Sequence, residues 1–346
     1  MTKKLHPKRD SVLEFIENNP SFSSKEIHEG LHLDLSYATL KRILQELLSE
    51  NLVETSGKAT KYFLSQSYEI LHPVDAEEYF AKEIDDRKVK VAFDHSIIHS
   101  LKRVSIFTTD ELAQLFELHK NHTEKISKLS EADYNKDLER LAIDLSWKSS
   151  QIEGNTYSLL ETEILLKEKQ TASGKTKDEA VMLLNHKEAL DFIIADPSYI
   201  TPLSVARIED IHRLLINDLG VDKNIRKRAV GISGTNYKPL DNESQIKEAL
   251  EEMCTLVNEK ELVFEKALLA LVLLSYIQAF ADGNKRTARI ISNAILISSG
   301  YCPISFRTVD SLEYKKAMLL FYEQNNITAV KRIFIEQFEF AVGTYF

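Results

Sequence analysis

The stretch Ile277-Gln278-Ala279-Phe280-Ala281-Asp282-Gly283-Asn284-Lys285-Arg286-Thr287-Ala288-Arg289 decides how the rest of this chain is read. An apolar helical pattern over residues 264–280 runs into it, and an amphipathic one over 286–299 leaves it. Gly283 and Asn284 tolerate unusual backbone angles, so their amides can form an anion-binding nest. A helix beginning near Lys285 adds its N-terminal dipole and free amides, which favour phosphate. Arg286 and Arg289 lie three apart on one helical face, where both can fork onto phosphate oxygens. Asp282 suits Mg2+, which is usually held by one or two carboxylates together with substrate phosphates. These residues fit a Mg2+–nucleotide corner. They also fit a plain helix start, with Asp282 as the cap and both arginines solvated.

Outward from that stretch, 346 residues are enough for two or three domains and a sizeable core. Hydrophobic residues at 43% and charged residues at 28% are ordinary for a globular chain. A net charge of -9 argues against bulk electrostatic binding to nucleic acid and leaves room only for a local basic face. Cys254 and Cys302 stand far apart without metal-ligand spacing, which fits a reducing cytosol. Residues 1–10 are basic but precede no apolar core, so no secretory signal is expected. The apolar run 267–281 is too short to span a bilayer and is interrupted by Ser275 and Gln278. A cytoplasmic, non-membrane protein is the expectation.

The first part of the chain, residues 1–66, reads as three helices closed by a strand-turn-strand. Ser23 and Glu26 make a capping box, and Ser36 opens a helix with Leu40, Ile43, Leu44 and Leu47 on one face. Such a unit resembles a winged helix-turn-helix. In a DNA-binding reading, Tyr37, Thr39, Lys41, Arg42 and Gln45 enter a major groove, with Lys58 and Lys61 near phosphate. In the alternative it is a protein-docking or dimerisation module, since acids balance the bases over residues 1–65. Residues 67–108 form a connector of mixed pattern. From Thr109 onward the pattern is helical, over 161–167, 178–194, 205–215, 243–258, 264–280, 286–299, 311–324 and from Thr328. Residues 228–239 alternate small, apolar and glycine residues and predict a hairpin. Residues 149–155 read as a polar helix end with Gly154 as C-cap.

Residues 280–289 resemble the signature of Fic (Fido) proteins, HxFx(D/E)GNGRxxR or its GNK variant. Ser149, Glu153 and Gly154 resemble that family's inhibitory motif, (S/T)xxxE(G/N), in the class with an N-terminal inhibitory helix. Residues 228–239, with Gly231, Ile232, Gly234 and Tyr237, resemble its flap, and residues 211–214 a helix that packs its core. The resemblance covers about residues 109–346, with an inhibitory helix near 146–155 and a core near 201–340. It implies a mainly α, Fic-type helical bundle with a small β-hairpin flap, beside the N-terminal winged helix-turn-helix. It further implies transfer of AMP from ATP to a Ser, Thr or Tyr hydroxyl of a target protein. Asp282 would hold Mg2+, Gly283, Asn284 and Lys285 would cradle the phosphates, and Arg286 would bind them from the side. Arg289 would meet the γ-phosphate, and Glu153 would compete for it through a salt bridge. The flap would take an extended target segment by strand addition.

One position departs from the pattern. The family's catalytic histidine would stand at Gln278, and a glutamine amide does not titrate. Ala279 replaces the usual proline. Three expectations follow: a weak or altered adenylyltransferase, a nucleotide sensor that regulates transcription through the winged helix, and a transferase using another donor. Homo-oligomerisation is compatible with all three. Gly174-Lys175-Thr176 has the end of a P-loop but Lys169 where its first glycine belongs, and His95, His99, His186 and His212 lack zinc spacing.

Overall fold

The computed structural model describes residues 7–31, 33–57, 60–65 and 67–346, so Lys58 of the expected wing lies outside the described residues. The described residues are mainly helical with one small sheet. It begins with α1 (Pro7–Asn18), β1 (Phe22–Ser23), α2 (Ser24–Gly30), α3 (Tyr37–Ser49), β2 (Val53–Ser56) and β3 (Lys61–Leu64). The capping box closes: Ser23 accepts from the Glu26 amide while Glu26 takes the Ser23 amide, so two orphan donors are satisfied. Ser36 caps α3 through the Thr39 amide. β3 lies between β1 and β2 and is antiparallel to both. Val12, Ile16, Ile27, Leu40, Leu44 and Leu47 are buried among these elements.

The connector resolves into α4 (Tyr68–Leu71), α5 (Ala76–Phe80), a 3-10 turn (Ile84–Asp86) and α6 (Ser96–Arg103). Its middle is fastened to the body, since the Tyr79 hydroxyl and Arg87 both donate to buried Glu323. Ten helices follow. They are α7 (Thr109–Ile126), α8 (Glu131–Ile152), α9 (Leu159–Glu168), α10 (Lys177–Ala195) and α11 (Val205–Leu215), then α12 (Glu243–Glu259), α13 (Val263–Ile277), α14 (Asn284–Ser298), α15 (Ser311–Gln324) and α16 (Thr328–Thr344). Residues 267–277 of α13 are buried without exception, as expected of a helix apolar all round. Each fully buried leucine there contributes about 1.5–3 kcal/mol of transfer free energy, which makes α13 the axis of the body. α12 and α14 pack directly on α13, and α8, α10 and α11 pack on α14. Among the described residues no helix is long and apolar enough to cross a membrane.

The expected hairpin at 228–239 is absent, and this corrects the sequence reading. Residues 228–239 contain no strand, only a turn at 233–234 and an isolated parallel bridge from Lys238 to Ala92 of the connector. The groups a ladder would use are taken elsewhere. The Lys238 amide donates to the Val91 carbonyl at 2.7 Å. The carbonyls at the two ends, of Arg228 and Leu240, accept from the Arg226 guanidinium. The flap is therefore an open loop, and its alternation of small and apolar residues has no partner strand to face.

Candidate functional site

α13 ends three residues earlier than its apolar pattern, at Gln278, which turns left-handed with φ +52° and ψ +55°. A non-glycine residue in that region costs roughly 1–2 kcal/mol, so its surroundings must hold it there. They do: the Gln278 amide donates to the Leu274 carbonyl at 3.3 Å, and its carbonyl accepts from Arg226 Nε at 2.6 Å. Its side-chain Nε2 donates to the Ser275 carbonyl at 2.6 Å, folding the amide back onto its own helix.

The loop that follows is closed by side chains. Asn284 Oδ1 accepts from the Phe280 amide and Asn284 Nδ2 donates to the Phe280 carbonyl, both at 2.8 Å. This reciprocal pair starts α14 at Asn284, two residues before the apolar pattern does. Gly283 sits at φ +80°, and a Cβ there would lie 3.1 Å from Ile216 and 3.4 Å from the His212 ring. Glycine is required on both counts. His212 stacks on Phe280 with centroids 3.6 Å apart, and its Nε2 lies 2.9 Å from the Asp282 carbonyl. Burial pushes the His212 pKa down to about 4, so the ring is neutral and Nε2 carries the hydrogen it donates.

The two arginines are not solvated, which removes the plain helix-start reading. Arg286 is 1% exposed: it donates to Asp282 Oδ2 at 3.2 Å and to the Leu215 carbonyl at 3.5 Å, while its buried Nε has no partner. Arg289 is fully buried and reaches Ser149 Oγ at 2.8 Å, the Ser149 carbonyl at 3.0 Å and Glu153 Oε1 at 2.9 Å. Its Nη1 has no hydrogen-bond partner. A guanidinium with an orphaned buried nitrogen is a donor prepared for an acceptor. Two such nitrogens on one helix face suit an anion.

Glu153 lies at the C-terminus of α8, an end whose dipole disfavours a carboxylate. Arg289 and Lys285, whose Nζ lies 3.6 Å from Glu153 Oε2, offset that cost. Burial works to raise the Glu153 carboxyl, but the charges of Arg289 and Lys285 outweigh it and hold the pKa below its ordinary value. Gly154 then ends the helix at φ +100°, and Asn155 anchors the turn by donating to the Glu179 carbonyl at 2.8 Å. The structure thus gathers Gln278, Asp282, Gly283, Asn284, Lys285, Arg286, Arg289, Ser149 and Glu153 around one loop.

Other expected residues fall elsewhere. In the flap, Gly231 and Gly234 are exposed and Ile232 is half-buried, but Tyr237 is buried and donates from its hydroxyl to the Tyr276 carbonyl at 3.0 Å. Tyr237 is an anchor of the flap rather than part of its open edge. Tyr37, Lys41, Arg42 and Gln45 lie exposed on α3, where Arg42 pairs with Glu46 and Lys41 lies over the Tyr37 ring. Thr39 bonds Ser36 at the helix start. Arg226 and His212 were not picked out as site residues. Both grip backbone carbonyls, and such partners leave no signal in the sequence. Among the described residues no three His, Cys, Asp or Glu side chains cluster as a metal site.

Residues 202–296 match the Fic/DOC family. The chain is 30% identical over 174 residues to protein adenylyltransferase Fic of Nematostella vectensis, covering 49% of this chain and 40% of that protein. It is 27% identical over 169 residues to protein adenylyltransferase fic-1 of Caenorhabditis elegans, covering 47% of this chain and 33% of that one. These matches span less than half the length of either relative. In fold it resembles a solved fragment of C. elegans Fic-1 (TM-score 0.58, 22% identity, 68% of this chain and 72% of that one). It likewise resembles a Fic domain containing signaling protein of Bacteroides thetaiotaomicron (TM-score 0.58, 18% identity, 66% and 94%). The stretch from α11 into α14 is thus what this chain shares with the Fic/DOC family.

Proposed function

We propose that the loop binds Mg2+–ATP and directs slow transfer of AMP to a protein hydroxyl, and that Glu153 restrains the site. One observation carries the reading: Arg289 is wholly buried, engaged by Glu153 and Ser149, and still keeps one nitrogen without a partner. A nucleotide phosphate would use that nitrogen together with Arg286 Nε, and would compete with Glu153 for the rest of the fork. Asp282, 62% exposed at its side chain, offers the single carboxylate that Mg2+ needs beside phosphate oxygens. When bound, the metal would neutralise phosphate charge. Lys285 would exchange its Glu153 contact for phosphate, and Asn284 would hold the loop shut around Phe280.

In the transfer, the target hydroxyl oxygen bonds to the α-phosphorus as the bond to pyrophosphate breaks. The hydroxyl proton has to leave with water or a base of the target, because nothing in Gln278 can hold it. Positioning and charge stabilisation remain, and these dominate phosphoryl-type transfer. The exposed flap would align the target segment beside the loop.

Calorimetry with Mg2+–ATP on the native chain and on Glu153→Gly tests this. Binding should tighten at least about tenfold in the variant, the scale of one released charge-assisted contact. Absence of binding to both forms would sink the proposal. Labelled ATP should then give transfer with Glu153→Gly, rising on the order of 10²–10⁴-fold when Gln278→His is added.

A second reading, a nucleotide sensor without catalysis, is favoured by the Gln278 amide folded back on Ser275. In that reading the N-terminal elements, taken as a winged helix-turn-helix, pass on the nucleotide state, through DNA or through another protein. Transfer by Glu153→Gly alone would rule it out.

A further inference from the structure

We infer that Arg87 is a positioning residue for the flap: it ties the flap tip to the connector and so sets the edge offered to a target. The use of that edge rests on the function proposed above, whereas the positioning itself does not. Among the described residues, 229–233 make no hydrogen bonds, so the flap depends on what holds its two ends. The base is held by Arg226, through the carbonyls of Arg228 and Leu240 and the Arg226 amide on the Ala279 carbonyl at 3.0 Å. At the tip, Arg87 Nη2 donates to the Gly234 carbonyl at 2.9 Å.

The other arm of the same guanidinium donates to Glu323 at 3.1 Å, and Glu323 is wholly buried. A buried carboxylate needs a cation, so Glu323 locks Arg87 in place. The Tyr79 hydroxyl, 2.7 Å from Glu323, and the Phe80 ring, 5.1 Å from the guanidinium, complete the seat. Neighbouring contacts follow the same line. Asn236 donates to Asp85 at 2.9 Å, the Lys238 amide to the Val91 carbonyl, and the Asp94 amide to the Tyr276 hydroxyl at 2.9 Å. A forked cation is needed because one side chain serves a carboxylate and a carbonyl at once. Lysine, a point charge, would keep Glu323 and release the flap.

Amide hydrogen exchange on the whole chain, native against Arg87→Lys, tests this. The Lys238 amide should exchange about tenfold faster, the scale of one hydrogen bond from a charged group, while the Arg226 amide and those of α13 stay unchanged. Unchanged exchange at Lys238 overturns the proposal. Equal acceleration at Lys238, Arg226 and α13 also overturns it, since it shows only general loosening. If Arg87→Lys fails to fold, Asn236→Ala, which removes the exposed tip contact alone, should accelerate Lys238 by a smaller factor, and no acceleration overturns the proposal. Calorimetry separates the two claims. Mg2+–ATP should bind Glu153→Gly and Glu153→Gly/Arg87→Lys equally, and weaker binding in the double variant would place Arg87 in the nucleotide site and overturn its positioning role. If neither form binds ATP, the function proposed above fails and the exchange result still decides on Arg87.

Discussion

The loop 278–283, which leads into α14, and the flap 228–240 lie next to each other and are made of similar material: two short irregular segments with small residues, each joined to the body by Arg226. Their order has different origins. In the loop, Asn284 closes the backbone on Phe280, His212 takes the Asp282 carbonyl and both arginines are buried, so the shape is complete before any ligand arrives. In the flap, residues 229–233 make no hydrogen bonds among the described residues, and only the ends are held. Anion recognition needs donors already aimed, whereas strand addition needs backbone groups left free.

The contrast can be broken by mutation, most strongly at Arg289. Arg289→Ala leaves Glu153 facing Lys285 alone beside an emptied space, and unfolding free energy should drop by about 3 kcal/mol in urea titration. A loss below about 0.5 kcal/mol, as at an ordinary surface site, would mean that the loop is not self-supporting.

A second test uses pH. The His212 pKa is about 4 in the folded chain against the ordinary 6.5, so the unfolded state takes the proton first. Stability should therefore be full above pH 6.5, fall towards pH 4, and lose no more to this group below that. The loss is at most about 1.4 kcal/mol per pH unit and roughly 3 kcal/mol in all. His122, also near 4, and His72, His119 and His186, all lowered by burial, add parallel slopes. His212→Gln should remove its share of the combined slope, and an unaltered pH profile would show that His212 is not held neutral.

The sharpest test compares two glycines. Gly283→Ala forces a Cβ to φ +80° against Ile216 and His212 and should cost about 2 kcal/mol. Gly231→Ala meets nothing within 4 Å and lies outside the left-handed region, so it should change stability by less than about 0.5 kcal/mol. Equal effects in thermal or urea unfolding would erase the distinction between loop and flap.

Much of this was legible beforehand where the signal is a side chain with its own chemistry. Residues 205–215 and 311–324 became α11 and α15 without a shift in either end, because Ser204 and Asp310 cap them as their types suggest. Glu153 and Arg289 could be paired across 136 residues only because the two motifs that carry them resemble those of one family. Arg87 and Arg226 could not. Their flap and loop partners are the carbonyls of Gly234, Arg228, Leu240 and Gln278, and a carbonyl is the same at every residue. The connector was opaque in part for the same reason, since some of its fastening runs through the backbone of Lys90, Val91 and Asp94. The hairpin was misread because alternation records which faces could be apolar, not whether a neighbouring strand is there to meet them.

Arg226 has one more consequence, and it concerns rates. Its buried guanidinium hydrogen-bonds only to backbone carbonyls, so no carboxylate in contact cancels its charge. With Lys285, Arg286 and Arg289 it sets four cations around a loop that carries Asp282 and faces Glu153, in a chain whose net charge is -9. The net charge repels a polyanion while this cluster attracts it. Because such steering is screened over about 10 Å at 0.1 M salt, added salt should slow the arrival of a nucleotide far more than its departure.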